Sequence, residues 1–165
     1  MPDKAKRQSG GWQRLGAPVP KDPQFAARIQ ASFAKQGLMQ TIGAQLTKVS
    51  PGAVEIALTA SPALAQQHGF VHAGALAAIA DTAAGYAALS LMPAGAGALT
   101  TEFKINLLAP AVGDRLIARA RVIKAGRTLT VVQTEVFAER DGGEKLVALL
   151  TETVMAITGR RDVSD

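Results

Sequence analysis

The stretch that most constrains the fold is residues 73–91, an almost unbroken apolar run rich in Ala, with no Pro until Pro93 and one acid, Asp81. This composition predicts a helix. It is apolar on nearly every side, so in a globular chain it must be buried and covered all round. It is a poor membrane span, because Ala and Gly are weakly hydrophobic and Asp81, Thr82 and Ser90 interrupt it. On a helix the neighbours of Asp81 lie three, four and seven positions away: Gly74, Ala77, Ala78, Ala84, Gly85 and Ala88, all small. A buried aspartate is costly without a partner or a cavity. Either the small stripe admits a second backbone or a substrate beside Asp81, or an Ala-rich helix simply shows Ala everywhere and Asp81 caps something or meets an Arg.

The remaining composition narrows the class. The 165 residues make one domain with room for a core, and 48% hydrophobic against 19% charged residues excludes wholesale disorder. There is no Cys, which removes thiolate chemistry and Cys-ligated metals. The first residues carry no apolar signal core, so a cytoplasmic location is expected. The net charge of +5 suits an anionic partner, but with aromatics at 4% base-stacking platforms are scarce, and neither nucleic acid nor a membrane is expected as partner.

In chain order, residues 1–21 read as a polar, flexible arm, with Trp12 as the residue that could pack. Asp22 with Pro23 marks a helix start, Phe25, Ile29 and Phe33 form its apolar stripe, and Gly37 its stop. Residues 38–49 alternate in part; after the Pro51-Gly52 turn, residues 53–60 alternate cleanly, giving a hairpin. After the long helix come strands over 99–107, 116–123, 128–138 and 145–157, joined by short turns and so expected to lie side by side antiparallel. Residues 159–165 form a polar tail. The domain, residues 22–158, is α+β: an antiparallel sheet wrapped around one long helix. Its open sheet edge predicts a homodimer or homotetramer.

The order and spacing of several short motifs resemble the hotdog-fold thioesterases, and within them the PaaI-like group of phenylacetyl-CoA and 4-hydroxybenzoyl-CoA thioesterases. His72-Ala73-Gly74 is followed by Asp81 nine positions after His72; residues 101–110 match the family's next strand, and Gly126-Arg127-Thr128 its later turn. The likeness spans about residues 38–157. Two positions depart from it. Gln66 stands where the family has Asn, and Ala73 replaces the first Gly of a Gly-Gly pair.

The resemblance implies hydrolysis of an acyl-CoA thioester with no cofactor and no metal. Such a reaction needs N–H donors where negative charge develops on the carbonyl oxygen, and a carboxylate to attack or to activate water. Ala73 and Gly74, at the helix N-terminus, can supply the former. Asp81 is the carboxylate, Thr100 helps to place the water, and Gln66 and His72 complete the motif. Asp81 lies about 12 Å along the helix from His72, and the resemblance implies that the acid and the donor come from opposite subunits. Phe70 and Tyr86 would shape the acyl pocket. Lys124 and Arg127 either meet coenzyme A phosphates or form an ordinary solvated turn. His68 and His72 have a metal-like spacing, but Gly69 interrupts them and no acid accompanies them. No serine-hydrolase elbow or phosphate-binding glycine loop is present. Two other readings share this fold: a non-catalytic acyl-CoA or small-ligand binding protein, and, less well supported, a hydratase, which would need a His within the helix.

Overall fold

The computed structural model describes residues 18–163. Its elements are helices α1 (Phe25–Phe33) and α2 (Gly37–Ile42), strands β1 (Ala44–Ser50) and β2 (Ala53–Thr59), the long helix α3 (Ala73–Leu89), and strands β3 (Gly97–Leu107), β4 (Arg115–Ala125), β5 (Leu129–Arg140) and β6 (Gly143–Ile157). The six strands form one sheet in the order β1-β2-β4-β5-β6-β3, with every pairing antiparallel. Alternate residues of the strands, among them Ile56, Leu116, Val132, Val136, Leu150 and Val154, are fully buried against Leu76, Ile79, Ala83 and Leu89 of α3. This is the α+β architecture expected, a sheet curled around a central helix. Among the described residues no helix is long and apolar enough to cross a membrane.

The burial of α3 is not complete. Leu76, Ile79, Ala80, Ala83, Ala84 and Ala87 are buried, whereas Gly74, Ala77, Ala78, Asp81 and Gly85 stay partly open. The uncovered side of the helix is therefore the part of the small-residue stripe from Gly74 to Gly85 that flanks Asp81, while Ala84 and Ala88 of that stripe are fully buried. A Cβ built on Gly85 would meet nothing within 4 Å.

Several expectations are corrected. Strand β3 does not lie beside β4; it pairs with β6 and forms an edge, while β4 pairs with β2. The connection 108–114 carries the chain across the sheet rather than through a hairpin, so turn residues such as Pro110 and Gly113 did not signal a neighbour. Residues 38–42 are helical, not extended, and Gly43, in the left-handed region at φ 73°, ends that helix before β1 begins. Asp22 does not begin α1. Its Oδ1 accepts from Gln24 N at 2.9 Å in the preceding turn, and the helix starts at Phe25. Within the expected polar tail, residues 161–163 form a 3-10 turn whose Val163 backbone crosses Gly97 so closely that a Cβ there would lie 2.3 Å from the Val163 carbonyl oxygen. The expected arm lies outside the described residues over 1–17, Trp12 included, while Pro18 lies against the Gly52 turn.

The C-terminal end of α3 is held by residues distant in sequence. Arg28 of α1 donates to the carbonyls of Leu89 (3.1 Å), Met92 (3.3 Å) and Pro93 (2.8 Å), and its guanidinium lies 3.4 Å from Asp22. Ser90 is fully buried; its hydroxyl accepts from Gly52 N at 2.7 Å and donates to the Ala87 carbonyl at 2.6 Å. The helix is thus fixed at one end while its stripe faces outward.

Candidate active site

Asp81 sits mid-helix on the open stripe, and the sheet supplies its partners. Thr100 Oγ1 lies 2.8 Å from Asp81 Oδ1 and 2.9 Å from Glu152 Oε1. Strict alternation along 99–107 would place Thr100 on the face opposite Phe103. A bulge between Thr100 and Glu102 shifts the register, so that Thr100 pairs with Val154 and Phe103 with Glu152. One extra residue thereby turns Thr100 toward the helix. Asp81, Thr100, Thr82, Gly85 and Ala98 line a pocket of about 210 Å³ with Tyr86, Ser32 and Gln36. The Tyr86 hydroxyl is 2.9 Å from Gln36 Nε2 and 3.1 Å from Ser32 Oγ, and its ring lies 6.1 Å from that of Phe33.

Glu152 is fully buried, and its Oε2 has no hydrogen-bond partner among the described residues. Burial, and then the nearby Asp81 charge, push its carboxyl up to about 8. The sequence reading missed this residue, although a signal was present. Leu150, Glu152 and Val154 share the core-facing parity of β6, and an acid at such a position is out of place unless something holds it. Ser32 and Gln36 carried no comparable signal.

The other end of α3 is a separate site. His72 is the N-cap, extended at φ −63° and ψ 139°, and its Nδ1 accepts from Gly74 N at 2.8 Å. The Gly74 N–H is thereby occupied, and the Ala73 N–H is the one of the two without an acceptor among the described residues. Gln66 turns back into its own loop, its Oε1 accepting from His68 N. Gln66, Phe70, His72 and Ala73 line a pocket of about 510 Å³ against Leu107–Ala111 of the chain leaving β3. Among the described residues no cluster of three His, Cys, Asp or Glu side chains could hold a metal.

The candidate residues therefore fall into two groups within one chain. Asp81, Thr100 and Tyr86 surround one pocket; Gln66, Phe70, His72 and Ala73 surround the other. Lys124 and Arg127 join neither. Both are exposed, and Arg127 lines a third hollow, of about 430 Å³, beside Met92 and Pro93 past the far end of α3.

Comparison with known proteins adds to this geometry. The family model described as "Thioesterase superfamily" matches residues 68–145. A thioesterase family protein from Silicibacter pomeroyi, of known crystal structure, is 48% identical and superposes with a TM-score of 0.80, covering 82% of this chain and 99% of its own. The PaaI protein of the E. coli phenylacetic acid degradation operon is 25% identical with a TM-score of 0.75, covering 84% of this chain and 97% of its own. A Deinococcus radiodurans protein, provisionally named an esterase, is 31% identical over 145 residues, 88% of this chain and 90% of its length.

Proposed function

The chain belongs to the thioesterase superfamily, and from that premise we propose that it hydrolyses an acyl-CoA thioester to the free acid and coenzyme A. The observation that carries the reading is the helix-borne Asp81, hydrogen-bonded by Thr100 and opening on a pocket instead of an ion pair. The acyl carbon gains a bond to oxygen, its bond to sulfur breaks, and the thiol leaves with a proton. Asp81 takes the proton from the attacking water, or attacks the carbonyl itself to expel the thiol and form a mixed anhydride that water then hydrolyses, restoring Asp81; both routes give the same products. The Thr100 hydroxyl orients the Asp81 carboxylate.

The carbonyl oxygen needs a donor as its charge develops, and Ala73 N–H is assigned that role. Within one chain it opens on a different pocket from Asp81, so the working site is proposed to combine Asp81 of one protomer with Ala73 of another. Support for association comes from β3, an eleven-residue edge strand on which Leu99, Phe103 and Leu107 are each more than 40% exposed. Such an edge invites pairing with a second copy. Lys124 and Arg127 keep a role at the coenzyme A phosphates only across such a subunit boundary. The PaaI likeness makes arylacetyl groups the first acyl class to try.

The test is release of free thiol from a panel of aryl- and alkyl-CoA thioesters by the wild type and Asp81→Ala. Loss of the acid–base group is expected to slow turnover by roughly 10²–10⁴-fold with the fold unchanged by circular dichroism. Undiminished turnover in Asp81→Ala overturns the mechanism. Thioester binding without any thiol release would favour a binding protein.

A further inference from the structure

Glu152 closes no ion pair among the described residues, yet it lies fully buried one hydroxyl away from Asp81. A threonine hydroxyl carries one hydrogen. It lies 2.8 Å from one carboxyl oxygen and 2.9 Å from another, so each contact is a full two-centre hydrogen bond only if one of the two carboxyls supplies a hydrogen of its own; otherwise two anions divide one hydrogen. Of the two, Asp81 opens on the pocket, whereas Glu152 has no exposed surface and its Oε2 has no hydrogen-bond partner among the described residues. An uncompensated charge is far costlier at the second position.

We propose that Glu152 is a positioning residue for Asp81: it holds the single proton the two carboxyls share and donates it to Thr100 Oγ1, whose own hydrogen is thereby aimed at Asp81 Oδ1. The inference rests on the reading of Asp81 as the reacting carboxylate. The chain of donors runs one way, Glu152 to Thr100 to Asp81, and ends on the carboxylate that must stay ionised to act. The charged groups bearing on Glu152 are Asp81 from α3 and Glu102 from β3, both negative; β5 places Val132 opposite it and β3 places Phe103. Glu102 itself accepts from Thr153 Oγ1 at 2.5 Å. No ion pair among the described residues reaches Glu152. When Glu152 ionises, two anions compete for the one Thr100 hydrogen, and Asp81 loses its fixed orientation.

Two measurements test this. The first is kcat against pH on the thioester that turns over best. The wild type is expected to lose activity on the alkaline side with a midpoint near 8. Glu152→Gln keeps a donor toward Thr100 but cannot ionise, so its alkaline limb should move up or vanish. An alkaline limb unmoved in Glu152→Gln overturns the proposal. The second is infrared spectroscopy of the wild type. The carbonyl stretch of a protonated carboxylic acid should be present at about pH 6 and gone by about pH 10, well above where ordinary carboxyls titrate. The absence of that band at about pH 6 overturns the proposal without reference to activity or to any variant. If the band titrates as expected but no thioester is hydrolysed, the proton assignment stands and the thioesterase reading fails.

Discussion

A buried carboxyl that is neutral in the native protein and ionised in the unfolded chain makes stability depend on pH. The Glu152 value is raised, from 4.5 to about 8, so the unfolded state releases its proton first as pH rises. The sign follows: the contribution of Glu152 is fully present below about 4.5, declines through the interval and is lost by about 8. Carboxyls such as Glu144, held below their ordinary value by the Arg119 hydrogen bond, act in the opposite sense, and their contribution is already complete above about 4.5, so it does not change across that interval. Urea midpoints of the wild type should therefore fall between about pH 5 and pH 8, and those of Glu152→Gln should fall much less. Parallel curves for the two proteins would mean that Glu152 ionises in the folded state as easily as in the unfolded one. Its buried place was legible in the alternation of β6; its partnership with Asp81 was not. It depends on residues 19 and 52 positions from Thr100 meeting at one hydroxyl.

Among the elements, α3 announced itself, and its observed span, Ala73–Leu89, ends close to where the apolar run does. How it is anchored did not. The last carbonyls of a helix lack internal partners, and here a cation on α1 answers three carbonyls at that end. The Arg28 side chain is about 10% exposed and Asp22 about 8%. Arg28→Ala would therefore strand the acid as well as the carbonyls. The expected loss is about 3 kcal/mol, read as a drop in unfolding free energy in urea. A loss under about 0.5 kcal/mol would class the contact with ordinary surface pairs. The sequence carried only half of this signal, since Arg28 falls beside the Ile29 stripe but nothing local tells which helix end it reaches. The bulge in β3 was equally hidden. A strict period of two is what the letters show, and one unpaired residue turns Thr100 from the outer face to the inner.

For the whole molecule, the arrangement of sites makes a prediction about assembly. If each active site joins Asp81 of one protomer to Ala73 N–H of another, two inactive variants can rescue each other. Ala73→Pro suits this test, because Pro is tolerated at the first helical position and lacks the N–H. His72 before it is already extended, as a residue preceding Pro must be. Ala73→Pro alone should lower kcat by roughly 10²–10³-fold. Coexpressed with Asp81→Ala, it should recover about a quarter of the wild-type activity, since half the dimers are mixed and one of their two sites is intact. No recovery beyond the sum of the two variants would place both groups of a site in one chain.

The sequence by itself determined the elements and their chemistry: a buried Ala-rich helix, alternating strands, an acid in a stripe of small residues, and the family to which these belong. These are readable because helical and strand periods are local, and burial selects residue types position by position. What only the tertiary structure decided is which elements meet. Strand β3 crosses to β6 and becomes an edge, Arg28 reaches the end of α3, and Glu152 comes to share Thr100 with Asp81. Those contacts join residues far apart along the chain, and their free energy comes from closing the sheet around the helix, which no local period encodes.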